Sequence, residues 1–272
     1  MIRVSPDNPI LDRLTEGANE VTFNLFYRIR GAETPMLLTD GRTCIAAQSN
    51  SGAPLWVFLN DEPAAPLADE LASVLVSALE ETPALTLVAN PTLIRPVWRR
   101  ITALIGRQPV ADLPLNAYAC FKLRERPAHG EMILPDESLC ADIARLLCEH
   151  VEDATGAPVP AEDAERFARD AAHATHLFLW RDAGRVVAMA NIAHTTDRYA
   201  RINTVVTARE ERCKGYAGML VGRMCAELRR SGLIPMLYAD ARNPASNAAY
   251  RHIGFELQGE VTEYSFPQEE RK

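Results

Sequence analysis

The residues with the clearest capacity for chemistry form the run Arg212-Cys213-Lys214-Gly215-Tyr216-Ala217. Residue patterns predict a strand over 200–208 before this run and a helix over 215–231 after it. A strand that turns directly into a helix points unpaired backbone N–H groups and the positive end of the helix dipole at one place, which suits an anion. Gly215 and Gly218 let the backbone approach such a ligand closely, because neither has a Cβ. The run therefore predicts a phosphate site.

The sequence excludes two other kinds of phosphate loop. A Walker-type nucleotide loop needs Lys followed by Ser or Thr after its glycines, and this run has no such pair. A dinucleotide-binding turn carries the pattern G-x-G-x-x-G and an acidic residue about 20 positions later. Asp240 lies at about that distance, but the three-glycine pattern is absent. The run by itself is also compatible with an ordinary turn in which Arg212 and Lys214 face water.

A second segment with a physical logic of its own lies over residues 243–255, after a predicted strand over 235–240. Asn243 suits the position that caps a helix N-terminus, and Pro244 suits the first helical position. Gly254 suits the turn that ends a helix. The segment predicts a helix over 244–253.

The run R-x-x-G-x-A after a strand, followed in order by Asn243, Asn247, Tyr250 and the pair Gly254-Phe255, resembles the GNAT superfamily of acyl-coenzyme A dependent N-acyltransferases. The resemblance covers roughly residues 130–266. It implies a mixed α/β GNAT fold. The whole chain resembles two-domain bacterial proteins of this kind, in which a GNAT-like N-terminal half has lost its cofactor site.

The resemblance also implies which residues hold the cosubstrate, acetyl-coenzyme A, with no metal. The backbone of the loop would bind its pyrophosphate. The preceding strand would pair with the pantetheine arm, and one strand N–H would polarise the thioester carbonyl. The implied cofactor-binding residues are Val205, Val206, Thr207, Arg212, Cys213, Lys214, Gly215, Tyr216, Ala217, Gly218, Asn243 and Asn247.

Tyr250 is the catalytic residue that the resemblance implies, as the donor that protonates the departing thiolate. A phenol with a pKa of about 10 stays protonated at neutral pH and is able to donate. A tyrosine that only packs its helix, and an Asn247 that only bonds the nearby backbone, are the alternatives. The general base stays open among His194, Asp240 and a water chain.

Two positions depart from the family pattern. Arg209 stands where a proline is common, and Cys213 stands where a glycine is common. Neither change removes a backbone N–H from the loop, and replacing proline adds one. Phosphate binding is therefore still expected.

The composition limits the classes of function. The chain has 272 residues, 47% of them hydrophobic, and a formal net charge of −7. This size allows two domains, and the charge argues against nucleic-acid binding. The start lacks the apolar stretch of a secretion signal, and no segment has the length of a membrane helix, so a cytoplasmic protein is expected. Six cysteines without a C-x-x-C pair indicate reduced thiols, and His173 and His176 lack a third metal ligand.

Residues 136–170 carry ten acidic against three basic side chains. Two explanations are open. The acids form solvated faces of two helices, or they attract a cationic amine acceptor.

The remaining periodic patterns predict the element order. We place the domain boundary at residues 128–129, within the Pro- and Gly-containing segment 125–135, which gives domains over 1–128 and 129–272. A helix is predicted from Pro9 to Gly31, with Ile10, Leu11, Leu14, Ala18, Val21, Leu25 and Ile29 on one face. The other N-terminal predictions are strands over 43–48, 55–59, 85–89 and 116–123 and helices over 67–79 and 96–105. The other C-terminal predictions are helices over 136–150 and 162–175, strands over 177–181 and 185–194, and a final strand pair ending at Phe266.

The leading hypothesis is an N-acyltransferase that moves an acetyl or short acyl group to a primary amine of a small molecule or peptide. A non-catalytic sensor of acyl-coenzyme A is the rival. The acceptor is not legible, since a fold gives the class of reaction and not the substrate. Homodimer formation is left open.

Overall fold

The structure is a computed structural model that describes residues 1–17, 19–124 and 127–267. The helices are α1 (Pro9–Thr15), α2 (Asn19–Thr22), α3 (Leu25–Arg30), α4 (Ala65–Glu81), α5 (Arg95–Ile105), α6 (Cys140–Thr155), α7 (Ala161–Ala171), α8 (Tyr216–Arg230) and α9 (Pro244–Ile253), with short 3₁₀ helices at Glu137–Leu139 and Arg209–Glu211. The strands are β1 (Ile2–Arg3), β2 (Met36–Thr39), β3 (Cys44–Gln48), β4 (Leu55–Leu59), β5 (Leu87–Ala89), β6 (Val110–Ala119), β7 (Glu131–Ile133), β8 (Leu177–Asp182), β9 (Arg185–Thr195), β10 (Tyr199–Thr207), β11 (Ile234–Asp240) and β12 (Glu256–Ser265). The expected mixed α/β class is confirmed.

The chain divides into two compact units that are not contiguous in sequence. The first comprises Met1–Tyr118, Tyr238–Pro244 and the chain from Leu257 onward, and the second comprises Ala119–Leu237 and Ala245–Glu256. All of β12 except its first residue therefore belongs to the first unit. The boundary predicted at residues 128–129 concerns the linear division of the chain and stays a prediction.

The first unit is built on strands in the order β1-β2-β3-β4-β5-β12-β6. Every residue of β3 and β4 is buried, so both faces of this part of the sheet are covered. Alternate residues point to opposite faces. Cys44 and Ala46 pack with α4 and α5, whereas Ile45 and Ala47 pack with residues of α1 and α3.

The second unit orders its strands β11-β10-β9-β8-β7. One hydrophobic cluster joins Ile143 and Leu146 of α6 to Leu179, Met189 and Val206 of the sheet. Helix α8 packs on β8, β9 and β10. Its buried residues, Tyr216, Leu220, Val221, Met224, Cys225 and Leu228, recur with helical spacing, which is why this helix was predictable.

The single N-terminal helix predicted over 9–31 is wrong, because the structure has α1, α2 and α3 there. Helix α1 ends at an extended C-cap, Glu16, and Gly17 follows with φ +74°. A residue at positive φ does not continue a right-handed helix. Ala18, which the predicted apolar face included, lies outside the described residues.

Several strands also differ from prediction. The final strand pair is one ten-residue strand, β12, and the strand predicted over 116–123 is β6, which begins and ends earlier. Strands β1, β2 and β7 were not predicted. Of the predicted connector, Glu125 and Arg126 lie outside the described residues, and Pro127–Gly130 form no helix or strand.

All six cysteines are free thiols. Within residues 1–17, 19–124 and 127–267, no helix has both the length and the apolar character needed to cross a membrane. The same residues contain no cluster of three or more His, Cys, Asp or Glu side chains suited to a metal ion.

Candidate active site

Strand β10 has one edge that is only partly paired. It runs antiparallel to β9 as far as Thr207, but its parallel pairing with β11 covers only Tyr199–Arg201. Within the described chain no strand pairs with that second edge beyond Arg201. Main-chain groups from Asn203 to Thr207 on that side are therefore available to an extended ligand, because a strand edge without a neighbour keeps unused donors and acceptors.

The same strand is irregular where this edge opens. Its register with β9 shifts between Arg201 and Ile202 and again between Asn203 and Val206. Thr204 has φ +50°, a left-handed conformation that is uncommon for a residue other than glycine. Such bulges re-aim the backbone groups beside them. Thr204 and Val205 are the residues that lie inside the second shift.

The predicted strand-loop-helix arrangement is present after β10. A 3₁₀ turn at Arg209–Glu211 leads into the loop, and Gly215 lies before the first residue of α8 with φ +87°. The first helical hydrogen bond runs from the Met219 amide to the Gly215 carbonyl, 3.0 Å apart. The amides of the three residues before Met219 therefore have no helical acceptor. Together with the helix dipole they form an arrangement suited to an anion.

Cys213 is one of the two positions that depart from the family pattern. Its φ is +63°, so this position requires a left-handed backbone. Glycine takes that conformation without strain, whereas a side chain at this φ is disfavoured by roughly 1–2 kcal/mol. The substitution keeps the loop shape at the expense of local strain.

Arg209 is the other position that departs from the family pattern. Its backbone N–H, which a proline would lack, donates to Glu149 Oε2 of α6 at 2.7 Å. Its guanidinium contacts Asp153 at 2.8 Å and Glu152 at 3.0 Å. The additional donor thus attaches the loop to α6.

The other loop cations are paired as well. The guanidinium of Arg212 donates to the Thr207 carbonyl at 3.2 Å and to the Asp153 carboxylate. Lys214 Nζ lies 2.7 Å from Glu211 Oε2, and Arg185 lies 2.5 Å from the other oxygen of Glu211. An anion would therefore be bound chiefly by the main-chain amides of Tyr216, Ala217 and Gly218, which have no helical acceptor.

Glu211 is a buried carboxylate in this loop, with a side chain only 4% exposed. Its hydrogen bond from Lys214 lowers its pKa, with a further contribution from the charge of Arg185, against the opposing effect of burial. A buried carboxylate is stable when paired in this way. Glu211 is the last residue of the 3₁₀ helix, and its two ion pairs join Lys214 of the loop to Arg185 at the start of β9.

Several acidic residues of the segment 136–170 form ion pairs with arginines of the same unit. Asp153, Glu152 and Glu149 bind the loop arginines, and Asp142 and Glu149 bind Arg145. These contacts favour a structural explanation of the acidic composition over attraction of an amine.

Helix α9 begins and ends where the sequence predicts. Gly254 has φ +113°, and a Cβ there would lie 2.1 Å from the Lys122 carbonyl oxygen, so only glycine fits. Asn247 is buried, and Asn243 precedes the helix with its amide donating to the Asp240 carbonyl at 3.0 Å. The binding roles of Asn243 and Asn247 stay predictions.

Tyr250 is half-buried on α9. Its ring lies edge-on to Phe255, with ring centroids 5.8 Å apart. Burial raises the pKa of its hydroxyl to about 12. The phenol therefore keeps its proton across the neutral range, as a proton donor must.

His194 and Asp240, the two side-chain candidates for the general base, each accept a hydrogen bond from an arginine. Arg201 Nε donates to His194 Nδ1 across the β9–β10 pair, 3.2 Å apart. Asp240 accepts from Arg242, which lowers the pKa of Asp240. A carboxylate with a lowered pKa is a weak base. His194 accepts a hydrogen bond from a cation, and the choice of general base among His194, Asp240 and water stays a prediction.

Sequence reasoning missed the carboxylates that hold the loop: Glu149, Asp153, Asp182 and Glu211. Asp153 is 59 positions from Arg212 along the chain. No local pattern links residues so far apart, and the count of acidic residues over 136–170 pointed only toward Glu149 and Asp153.

The open strand edge, the bulge and the amide-lined helix start lie in one strand-loop-helix unit, whose geometry suits an extended ligand that carries an anionic group. Residues 143–255 match the Acetyltransferase (GNAT) family. This segment is a GNAT acetyltransferase domain, which makes the chain an acyltransferase. A sequence search of curated proteins finds no match.

Solved structures of the same fold extend over nearly the whole chain. A GCN5-related N-acetyltransferase from Sphaerobacter thermophilus has a TM-score of 0.60 at 16% identity, over 96% of this chain and 93% of that one. One from Kribbella flavida has a TM-score of 0.58 at 13% identity, over 92% and 94%. An acetyltransferase of the GNAT family from Colwellia psychrerythraea has a TM-score of 0.55 at 13% identity, over 93% and 98%. At these identities the likeness concerns the fold.

Proposed function

We propose that this chain transfers an acetyl or short acyl group from acyl-coenzyme A to a primary amine while both are bound together. The observation that carries the proposal is the set of unpaired amides at the start of α8, beside the open edge of β10. A diphosphate suits the first feature and a peptide-like pantetheine arm suits the second.

Binding of the diphosphate is assigned to main-chain groups from Cys213 to Gly218. Because the loop cations already face carboxylates, their contribution is to shape the loop and to offset charge. The edge residues Val205, Val206 and Thr207 would hold the pantetheine arm. The amide of Val205, which lies inside the register shift, would polarise the thioester carbonyl, as a fixed donor does for developing negative charge.

Two proton movements are needed for the transfer. The acceptor ammonium must lose a proton before its nitrogen attacks, and the departing thiolate must gain one. Tyr250 is proposed as the donor in the second movement, since burial keeps its hydroxyl protonated. His194 or ordered water would accept the first proton.

The wider assignments are proposals too. The first unit is proposed to be a GNAT-like domain without a cosubstrate site, with the linear boundary at residues 128–129. The amine acceptor is proposed to be a small molecule or a peptide. The sequence predicts a cytoplasmic location and leaves the formation of a homodimer open.

The test is a pair of measurements on the full chain. Calorimetry with coenzyme A and acetyl-coenzyme A measures binding, and release of free thiol over a panel of amino acids, polyamines, aminoglycosides and peptides measures transfer. Tyr250→Phe is expected to lower kcat by about 10²- to 10⁴-fold and to leave the Kd for coenzyme A nearly unchanged. Tyr27→Phe is the matched control, because Tyr27 is also half-buried with a pKa raised by burial.

Absence of any binding by the folded protein would overturn the proposal. Binding without turnover for every amine would favour the sensor instead. Equal turnover by the Tyr250→Phe variant would remove Tyr250 from the mechanism while leaving the transfer reaction in place.

A further inference from the structure

Tyr216, the first residue of α8, forms a side-chain hydrogen bond with a residue outside the loop. It donates to Asp182 Oδ2 at 2.6 Å, and the tyrosine is only 6% exposed. Asp182 ends β8, 34 positions earlier in the chain. The residue that opens the proposed anion site is thus attached to a strand end on the sheet beneath α8.

Asp182 sits in a turn with its own backbone requirements. The two residues that follow it, Ala183 and Gly184, have φ of +45° and +79°. This tight β8–β9 turn brings Asp182 opposite Arg185 in the strand register. A left-handed alanine is a small local strain, which persists where the surrounding structure requires the conformation.

His129 contacts the second oxygen of the same carboxylate. Its Nδ1 lies 3.2 Å from Asp182 Oδ1, and its ring lies edge-on to Tyr216 with centroids 5.4 Å apart. The His129 carbonyl accepts from Trp180 Nε1 at 3.1 Å. A Cβ on the next residue, Gly130, would lie 2.5 Å from the Arg181 carbonyl, so the segment lies tightly against β8.

The Asp182 carboxylate accepts hydrogen bonds from Tyr216 and His129, and both favour its ionised form. The hydrogen bond from Tyr216 lowers the pKa of Asp182, and that from His129 lowers it further. The carboxylate is therefore ionised at neutral pH, and hydrogen bonds to an ionised acceptor are shorter and stronger than neutral ones. The contact weakens only when the pH falls through this lowered pKa.

We propose that Asp182 is a positioning residue for the cosubstrate site, which acts through the Tyr216 hydroxyl to hold the first turn of α8 in its anion-binding orientation, with His129 bracing the carboxylate. This inference rests on the proposed function. The amide of Tyr216 is one of the unpaired donors at the helix start, so a shift of its side chain moves a ligand-binding group directly.

The physical argument is preorganisation. Helix α8 starts after a glycine at positive φ, and its N-cap makes no side-chain hydrogen bond. Side-chain caps commonly fix a helix start. Here the anchor is instead a side chain at the first helical position. Without it, the amides must be ordered at the moment of binding, which reduces affinity.

The experiment is calorimetry with coenzyme A on the full chain, together with KM and kcat for acetyl-coenzyme A. Tyr216→Phe keeps the ring and removes only the hydroxyl. It is expected to weaken binding of coenzyme A by about tenfold, the equivalent of one net hydrogen bond, and to raise KM by the same factor. The change in kcat at saturating cosubstrate is expected to be much smaller.

A double-mutant cycle gives the sharper result. Asp182→Ala is expected to weaken binding as Tyr216→Phe does, and the double variant is expected to be no weaker than either, since both remove one interaction. Asp182→Asn, which retains an oxygen acceptor for the hydroxyl, is expected to recover part of the affinity. Tyr27→Phe, in the first unit, is the control and is expected to bind coenzyme A as the parent does.

Parent-like binding by Tyr216→Phe, or additive losses in the double variant, would overturn the positioning role. A loss of kcat with unchanged KM would do the same. These results differ from a failure of the proposed function, in which the parent chain itself binds no coenzyme A. Melting temperatures of all variants separate a lost binding geometry from a lost fold.

Discussion

Both units of this chain contain the same local arrangement of strands and helix, and only the second unit carries the glycine loop and backbone irregularities of the proposed anion site. In the first unit β3 and β4 are antiparallel, and β4 and β5 are parallel with α4 between them in sequence. In the second, β9 and β10 are antiparallel, and β10 and β11 are parallel with α8 between them. The difference lies in how the strand reaches the helix.

The strand in the first unit is regular. The register of β3 with β4 runs from Cys44–Leu59 to Ala47–Trp56 without a shift. The connection to α4, residues 60–64, contains Asp61 and Glu62 and no glycine. These two carboxylates lie four and three residues before the first residue of α4, and their negative charge near the helix start disfavours an anion.

The strand in the second unit carries the irregularities. Among the described residues, three other than glycine have positive φ: Ala183, Thr204 and Cys213. All three belong to the second unit, on the strand, the loop or the turn that anchors α8. Strained backbone persists where a site requires it. Two units with a shared layout thus differ in backbone regularity, and the irregular one is the unit to which we assign the site.

Gly215→Val tests the loop most severely. Valine at φ +87° is strongly disfavoured, so the start of α8 must rearrange. We expect binding of coenzyme A to fall by about tenfold or more, on the scale of one residue forced into a left-handed conformation. Gly106→Val is the control by calorimetry, because Gly106 ends α5 in the first unit with φ +70° and open space around it. Equal losses in both variants would show that the effect is one of stability.

Glu211→Gln tests the carboxylate inside the loop. The pKa of Glu211 is lowered in the folded state, so its stabilisation is present above its ordinary value and is lost as the pH falls through the lowered pKa. The parent is expected to have the higher melting temperature at pH 7, and the gap is expected to close on acidification below pH about 4. Glu62→Gln in the first unit is the control. A gap that is constant with pH would contradict this explanation.

Asp153→Asn tests the attachment of the loop to α6. The change removes a negative charge near the anion site and releases Arg212 from one partner. Binding of coenzyme A is expected to tighten by about two- to threefold at low salt, and the gain should fade at high salt because exposed charges are screened. Asp12→Asn, which breaks the pair with Arg30 in the first unit, serves as the reference. Weaker binding would show that the contact shapes the loop more than it opposes the ligand.

The smallest expected effect belongs to the first unit. Asp61→Asn combined with Glu62→Gln is expected to leave the Kd for coenzyme A and the number of bound molecules unchanged, since the regular β4 offers no bulge or glycine loop. Calorimetric stoichiometry measures this directly. A second bound molecule in the variant would mean that charge alone separates the two units.

Sequence reasoning succeeded where the signals are local. Helix α9 has the predicted bounds, and α8 differs from its prediction by one residue at each end, because caps, glycines and helical spacing act within a few residues. The break after α1 was missed, since the apolar spacing continues across Gly17 while the backbone does not. Strand β7 was missed because three residues carry too little pattern.

The sequence by itself determined the chemistry of the loop: which residues could lie at positive φ, where a helix begins, and which amides are left unpaired. Those properties depend on neighbours along the chain. Only the tertiary structure decided that β12 belongs mostly to the first unit, that Asp153 and Glu149 hold the loop, and that Asp182 anchors Tyr216. Such contacts join residues distant in sequence, and their formation depends on the packing of the sheet and its helices.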